Sequence, residues 1–188
     1  MRPGMALLAL AAAGSAVAGL GAGPAAAEET TCRGSLGQVT VDNLRVPEGA
    51  TCSLNGTYVK GTVKVERDAT LRAEGVRVVG NVQGENAVSV GVAGGSTVGG
   101  SVQVKQGRAA TVTDTRVDGD ILYDENRSAL RADRNVVGGN VQAFKNTGGL
   151  AISGNRVDGN LQCKENSPPP TGGGNVVQGN KEDQCARL

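Results

Sequence analysis

The sequence predicts an all-β protein, a single-stranded parallel β-helix of roughly 20 residues per rung and seven to eight rungs. Three observations carry this. Glycine recurs at Gly61, Gly80, Gly100, Gly119, Gly139, Gly159 and Gly179, at intervals of 19 or 20 residues. Two residues before each stands a valine: Val59, Val78, Val98, Val117, Val137, Val157 and Val177. Two residues after each stands Val63, Val82, Val102, Ile121, Val141, Leu161 and, in the last copy, Lys181. Alternation with a period of two is a strand with one apolar face. A unit this short holds strands and corners but no helix, and it cannot bury its valines alone. Coaxial stacking buries them and pairs each rung's backbone with its neighbours, about 4.8 Å apart. An antiparallel sandwich also uses short strands but gives no reason for one residue at one phase in every copy. The rung is longer than in strict hexapeptide coils, which favours a right-handed coil.

Taken in chain order, residues 1–27 read as a signal peptide. Arg2 supplies a positive charge, an Ala/Gly-rich apolar run follows, and Ala25-x-Ala27 stands before Glu28. Cys32 lacks a preceding Leu-Ala-Gly, so lipid attachment is not expected. The reading is therefore a secreted, extracellular protein whose residues 28–188 form one β-helix domain. No later apolar stretch reaches spanning length, so no membrane span is expected in the mature form. Gly37, Val39 and Val41 are read as a looser first copy.

Within the repeats, a second apolar pair recurs about ten residues on. It reads Leu71 and Ala73, Val88 and Val90, Ala110 and Val112, Leu130 and Ala132, and Leu150 and Ile152. Glycine returns five residues before the anchor at Gly56, Gly75, Gly95, Gly154 and Gly174, where a corner needs positive φ. Asn135, Asn155 and Asn175 follow in the late copies.

The cysteines fit the stack. Cys32 and Cys52 lie 20 residues apart, Cys163 and Cys185 lie 22 apart. One period brings residues to rung spacing, near the separation a disulfide needs. Of three possible connectivities only 32–52 with 163–185 joins adjacent rungs, and an exported chain meets oxidising conditions. The C-terminal end looks blunted by Lys181, Glu182 and Asp183 and by the Pro/Gly run at 167–175.

Composition limits function. Beyond Arg2 the chain carries 18 basic and 18 acidic side chains, and only Tyr58, Tyr123 and Phe144 are aromatic. Nucleic-acid binding has neither its charge nor its stacking signature. Histidine is absent, which removes histidine catalysis and histidine-ligated metal. Asp118 and Asp158 share a lattice position two rungs apart, roughly 9.6 Å by strand spacing, near the limit for an inverting carboxylate pair. Asp114, Asp118, Asp120 and Asp124 cluster around one rung, and Asp118, Asp120 and Asp124 could hold one ion. Turn closure accounts for these residues better. No catalytic residue, metal site or cofactor is assigned. Thr62, Asn81, Ser101, Asp120, Asn140, Asn160 and Asn180 form a polar column read as bonding along the stack. Gln83, Gln103, Gln142 and Gln162 form another, fit for stack bonding or for a sugar.

The segments G-N-V-Q (80–83 and 139–142), G-N-R-V-D-G-N-L-Q-C (154–163) and G-N-K-E-D-Q-C (179–185) carry a resemblance. From Cys32 to Cys185 the chain resembles exported actinobacterial β-helix repeat proteins of unassigned role, which implies a secreted β-helix with no inherited catalytic residues. Its G-x-V rungs are also similar to bactofilin-type polymer-forming repeats, which imply filament formation. The resulting expectation is a non-enzymatic, monomeric structural or surface-presentation protein, adhesive or associated with the cell envelope. Its expected partner class is cell-wall or extracellular polysaccharide. The alternatives are a carbohydrate-binding or polysaccharide-cleaving module using the acidic flank, and a polymer-forming β-helix.

Overall fold

The computed structural model describes residues 28–188, so the signal-peptide reading of 1–27 lies outside the described residues. These residues form a β-solenoid of about 7 turns at ~20 residues per turn, with no helix. Three parallel sheets run its length. The first face has nine strands, from Glu29–Thr31 to Lys181–Asp183. The second has eight, from Ser35–Leu36 to Thr171–Gly173. The third also has eight, from Thr40–Val41 to Val176–Val177, and each of its strands is only two residues long.

Register explains the periodicity. The valine before each anchor glycine lies on the third face, where Val59, Val78, Val98 and Val117 stack in order. The residue after it starts the first face, where Val63, Val82, Val102 and Ile121 stack. All of these side chains are buried. The second inward column of the first face runs Val65, Gly84, Val104, Tyr123, Ala143 and Cys163. Its volumes alternate: Tyr123, the largest fully buried side chain, is followed by Ala143. The Tyr123 hydroxyl crosses the core to donate to the Arg131 carbonyl at 2.7 Å. Burial pushes its phenol well above the usual tyrosine range.

Two register expectations are corrected. On the second face Val90 and Val92, not Val88 and Val90, stack on Leu71 and Ala73. The corner in that rung closes at Asn86 and Ala87, so Val88 precedes the strand and is only half-buried. At the start, Val41 pairs with Val59, while Val39 is exposed at 45% and Gly37 is not an anchor. The first coil is short: Glu29 pairs with Asn43, 14 residues on, so the 20-residue frame does not extend into it.

Corners use two devices. Between the second and third faces, Gly56, Gly75, Gly95, Asp114, Arg134, Gly154 and Gly174 all have φ between 50 and 74°. Between the first and second faces the same left-handed conformation falls on Asp68, Asn86, Gln106, Glu125, Lys145 and Glu165, with φ of 53–58°. There it costs each about 1–2 kcal/mol relative to glycine. The residue after each bend points inward. In the early rungs these are Thr57, Val76, Ser96 and Thr115 at one corner, and Ala69, Ala87 and Gly107 at the other. In the late rungs they are buried asparagines: Asn135, Asn155 and Asn175, and Asn126, Asn146 and Asn166.

The anchor glycines serve a third need. A methyl group on any of them would lie closer than 3.0 Å to an oxygen of the rung before, such as Asn81 Oδ1 for Gly100 or Asp120 Oδ1 for Gly139. Their φ values are ordinary. Space, not φ, fixes glycine at this third corner.

Candidate functional site

Sequence-singled residues fall in four environments. The cysteines close the ends. Cys32 bonds Cys52 with Cα atoms 5.6 Å apart, and Cys163 bonds Cys185 with Cα atoms 5.2 Å apart. All four are buried. The geometry differs from a same-phase staple. The Cys32 amide donates to Arg45 O, on the first face, whereas Cys52 pairs with Leu71 on the second. The bond therefore spans the coil's interior from face to face. At the other end Cys163 pairs in register with Asp183, and the chain turns back to bring Cys185 over it. Each disulfide lies across a core that would otherwise open to water.

Three polar ladders run along the corners. Outside, at the third corner, Asn43 Oδ1 accepts from the Thr62 amide. Thr62, Asn81, Ser101, Asp120, Asn140 and Asn160 repeat the bond, ending at the Asn180 amide. Inside, the polarity reverses, so that each amide donates to the side chain of the next rung. Asn126 donates to Asn146 and Asn146 to Asn166 through both backbone N and Nδ2. Gln184 ends that ladder by accepting twice from Asn166. The Asn135–Asn155–Asn175 ladder repeats the pattern. Each inward Nδ2 also donates to a strand carbonyl, such as Asn155 to Ala132 O at 2.9 Å. Buried amides so satisfied are the condition under which a polar column can replace apolar packing.

The acidic residues lie apart. Asp118 and Asp158 are exposed beyond the strands of the third face, with Gly138 between them. Asp118 accepts from Arg116 Nε at 2.8 Å, and Asp158 from Gln178 Nε2 at 2.8 Å. Asp120 belongs to the outer ladder, its Oδ1 accepting from both nitrogens of Asn140. Asp124 ends a first-face strand. Asp114 is held by a two-pronged Arg134 contact at 2.8 and 2.7 Å, which keeps its carboxyl below the usual range. Asp133, almost fully buried, pairs with Arg131 at 2.9 Å and also with Arg134. Among the described residues no three acidic or cysteine groups meet in a way that could hold a metal ion. The glutamine column is split. Gln142 donates to Gln162, and Gln162 to Glu182, each at 2.8 Å. Gln83 and Gln103 instead line an open depression of about 240 Å³ with Lys64, Glu85 and Lys105.

A feature not singled out in the sequence lies on the third face. Its outward column reads Tyr58, Arg77, Thr97, Arg116, Val136, Arg156 and Val176. Arginine thus recurs on every second rung. Arg77, Val79, Thr97, Gly99, Arg116 and Asp118 line a depression of about 490 Å³. The signal was available as Arg-Val-Asp-Gly at 116–119 and 156–159 with Arg-Val at 77–78. No family model, curated protein or solved structure matches this chain.

Proposed function

We propose that this chain is a non-enzymatic structural rod, exported and held at or outside the cell envelope, that works by presenting its outer columns. The observation that carries the reading is the engagement of the acidic side chains. Asp118, Asp120 and Asp158 are each bonded within the stack or beside it. Rungs of 19 or 20 residues also leave no loop to wall a cleft around them. A glycosidase needs two carboxylates converging on one bond with a water or nucleophile between them. Two buried disulfides suit an oxidising compartment. Charged Lys181, Glu182 and Asp183 on the last first-face strand favour a closed monomer over a growing filament.

The test is an assay for released reducing ends and unsaturated sugars, run on the disulfide-intact protein with a panel of polysaccharides. No turnover is expected. Turnover that Asp118→Asn abolishes would replace this reading with the carbohydrate-cleaving one. Sedimentation should show one species across protein concentrations, and concentration-driven growth would favour the polymer-forming alternative.

A further inference from the structure

We propose that the third face binds a linear acidic polysaccharide of uronate type through the notch between Arg77 and Arg116. This goes beyond a presentation role by naming what one face takes. The notch is built by the fold. Thr97 sits between the two arginines in the outward column, and Gly99 sits between Val79 and Asp118 in the next. A side chain at Gly99 is barred because its Cβ would lie 2.5 Å from Val79 O. The depression is therefore permanent.

Its lining suits a sugar acid. Val79, 48% exposed, offers an apolar floor for the C–H face of a pyranose ring. Arg77 lies over the Tyr58 ring at 5.4 Å, which restrains its guanidinium plane. Arg116 gives its Nε–H to Asp118, so both terminal nitrogens of the guanidinium remain for a carboxylate fork. Asp118, a candidate acid in the sequence, acts here as the positioning residue for Arg116.

The spacing of arginines and glycines repeats, although Asp158 accepts from Gln178 and not from Arg156. Val136 and Gly138 lie between Arg116 with Asp118 and Arg156 with Asp158, two rungs further along. Gly138 is likewise barred from carrying a side chain, by Asp118 O at 2.5 Å. Arginines two rungs apart are spaced about 9.6 Å from one another. That spacing presents successive cations to a polymer with a regularly repeated charge, and Arg77, Arg116 and Arg156 are complementary to an anionic chain laid along the rod. A lateral second copy would have to meet the same arginine column with its own, and is left as an outcome of the test.

The experiment is affinity electrophoresis or titration calorimetry of the disulfide-intact protein with polygalacturonate, at physiological ionic strength. Neutral dextran and polyphosphate are the controls. Binding of polygalacturonate is expected, with dextran inert. The double change Arg77→Gln with Arg116→Gln should weaken it at least about tenfold, the scale of one lost charge-assisted contact. Val79→Asp should do the same by another route. Asp118→Asn should weaken binding less, and Asp118→Glu should retain part of it, which a purely electrostatic role would not show. Arg72→Gln on the second face should change nothing, and circular dichroism should confirm that all variants fold. The proposal fails if polygalacturonate does not bind, if polyphosphate binds equally well, or if Arg72→Gln costs as much as the notch variants. It also fails if those variants instead abolish a concentration-dependent dimer. Turnover of the bound polymer would overturn the non-enzymatic reading while leaving this site in place.

Discussion

Through its backbone N–H and side chain Asn155 makes five hydrogen bonds inside the coil. Its backbone N and Nδ2 donate to Asn175 Oδ1, its Nδ2 also reaches Ala132 O, and its Oδ1 accepts both nitrogens of Asn135. Asn160, in the outer ladder, is half-buried and its Oδ1 accepts only the Asn180 amide. Water can replace the second set of bonds but not the first. Asn155→Ala should therefore cost about 3 kcal/mol or more, because buried donors and acceptors are left unpaired. Asn160→Ala should cost under about 1 kcal/mol, the net worth of one accessible bond. Urea denaturation checks both, and equal losses would mean the inner ladder is not the stabilising one. Glycines divide in the same way. Gly139→Ala drives a methyl group against Asp120 Oδ1 and Gly119 O, and should cost about 2 kcal/mol or more by forced displacement of the rung. Gly95→Ala has open space around it and only a positive φ of 74° to bear, costing about 1–2 kcal/mol. Glu165, at φ 58°, offers the reverse experiment. Glu165→Gly should leave stability unchanged or raise it by up to about 1 kcal/mol, and a clear loss in the same denaturation experiment would mean the bend carries no strain.

At the scale of the element, the rung was legible wherever burial and period coincide. Val59, Gly61 and Val63 name two faces and one corner because apolar alternation and a crowded glycine leave marks that recur at fixed phase. The inner ladder Asn126–Asn146–Asn166 was not legible. Its column reads Ala69, Ala87 and Gly107 in the earlier rungs, so residue type does not repeat, and asparagine after a polar residue looks like an exposed turn. Left-handed bends on Gln106, Glu125 and Lys145 were not legible either, since these residue types carry no preference for positive φ. Disulfide spacing suggested bonded cysteines at equal phase, but the compressed first coil and the terminal turn put them across the ends instead. The acidic residues illustrate the limit on sites: sequence puts Asp118 and Asp120 two apart, while the corner sends one to the third face and the other into the outer ladder.

For the whole molecule, the interior changes character along its axis. Early corners are filled by Thr57, Val76, Ser96, Thr115, Ala69 and Ala87; the Thr57 and Thr115 hydroxyls bond only to backbone carbonyls, and none forms a side-chain to side-chain ladder from rung to rung. Late corners carry the two asparagine ladders, with Gln184 closing one of them over the last rung. In a solenoid each rung touches only its neighbours, so stability is a sum of local terms and need not be uniform. The charge network adds little gradient. Arg134 lowers the Asp114 carboxyl and Lys60 lowers that of Asp42, so both contributions are present above the ordinary carboxylate range and lost as pH falls through the depressed values, below about pH 4. Arg134→Gln should flatten the acid limb of a melting-temperature profile in that window by lowering its neutral plateau towards the low-pH values, which stay unchanged. The axial difference is what hydrogen exchange should reveal. Amides of Leu130–Asp133 and Leu150–Ser153, the second-face strands that lie between the two ladders, should exchange most slowly. Those of Asn43–Val46 and Val63–Val65 should exchange sooner, and reduction of the Cys32–Cys52 bond should release them further while the late rungs stay protected. A flat protection profile, or one slowest at the N-terminal rungs, would show that apolar stacking alone sets the stability and that the asparagine columns merely tolerate burial. The expected gradient makes the C-terminal rungs the stable block of the rod, on which the earlier rungs stack one at a time.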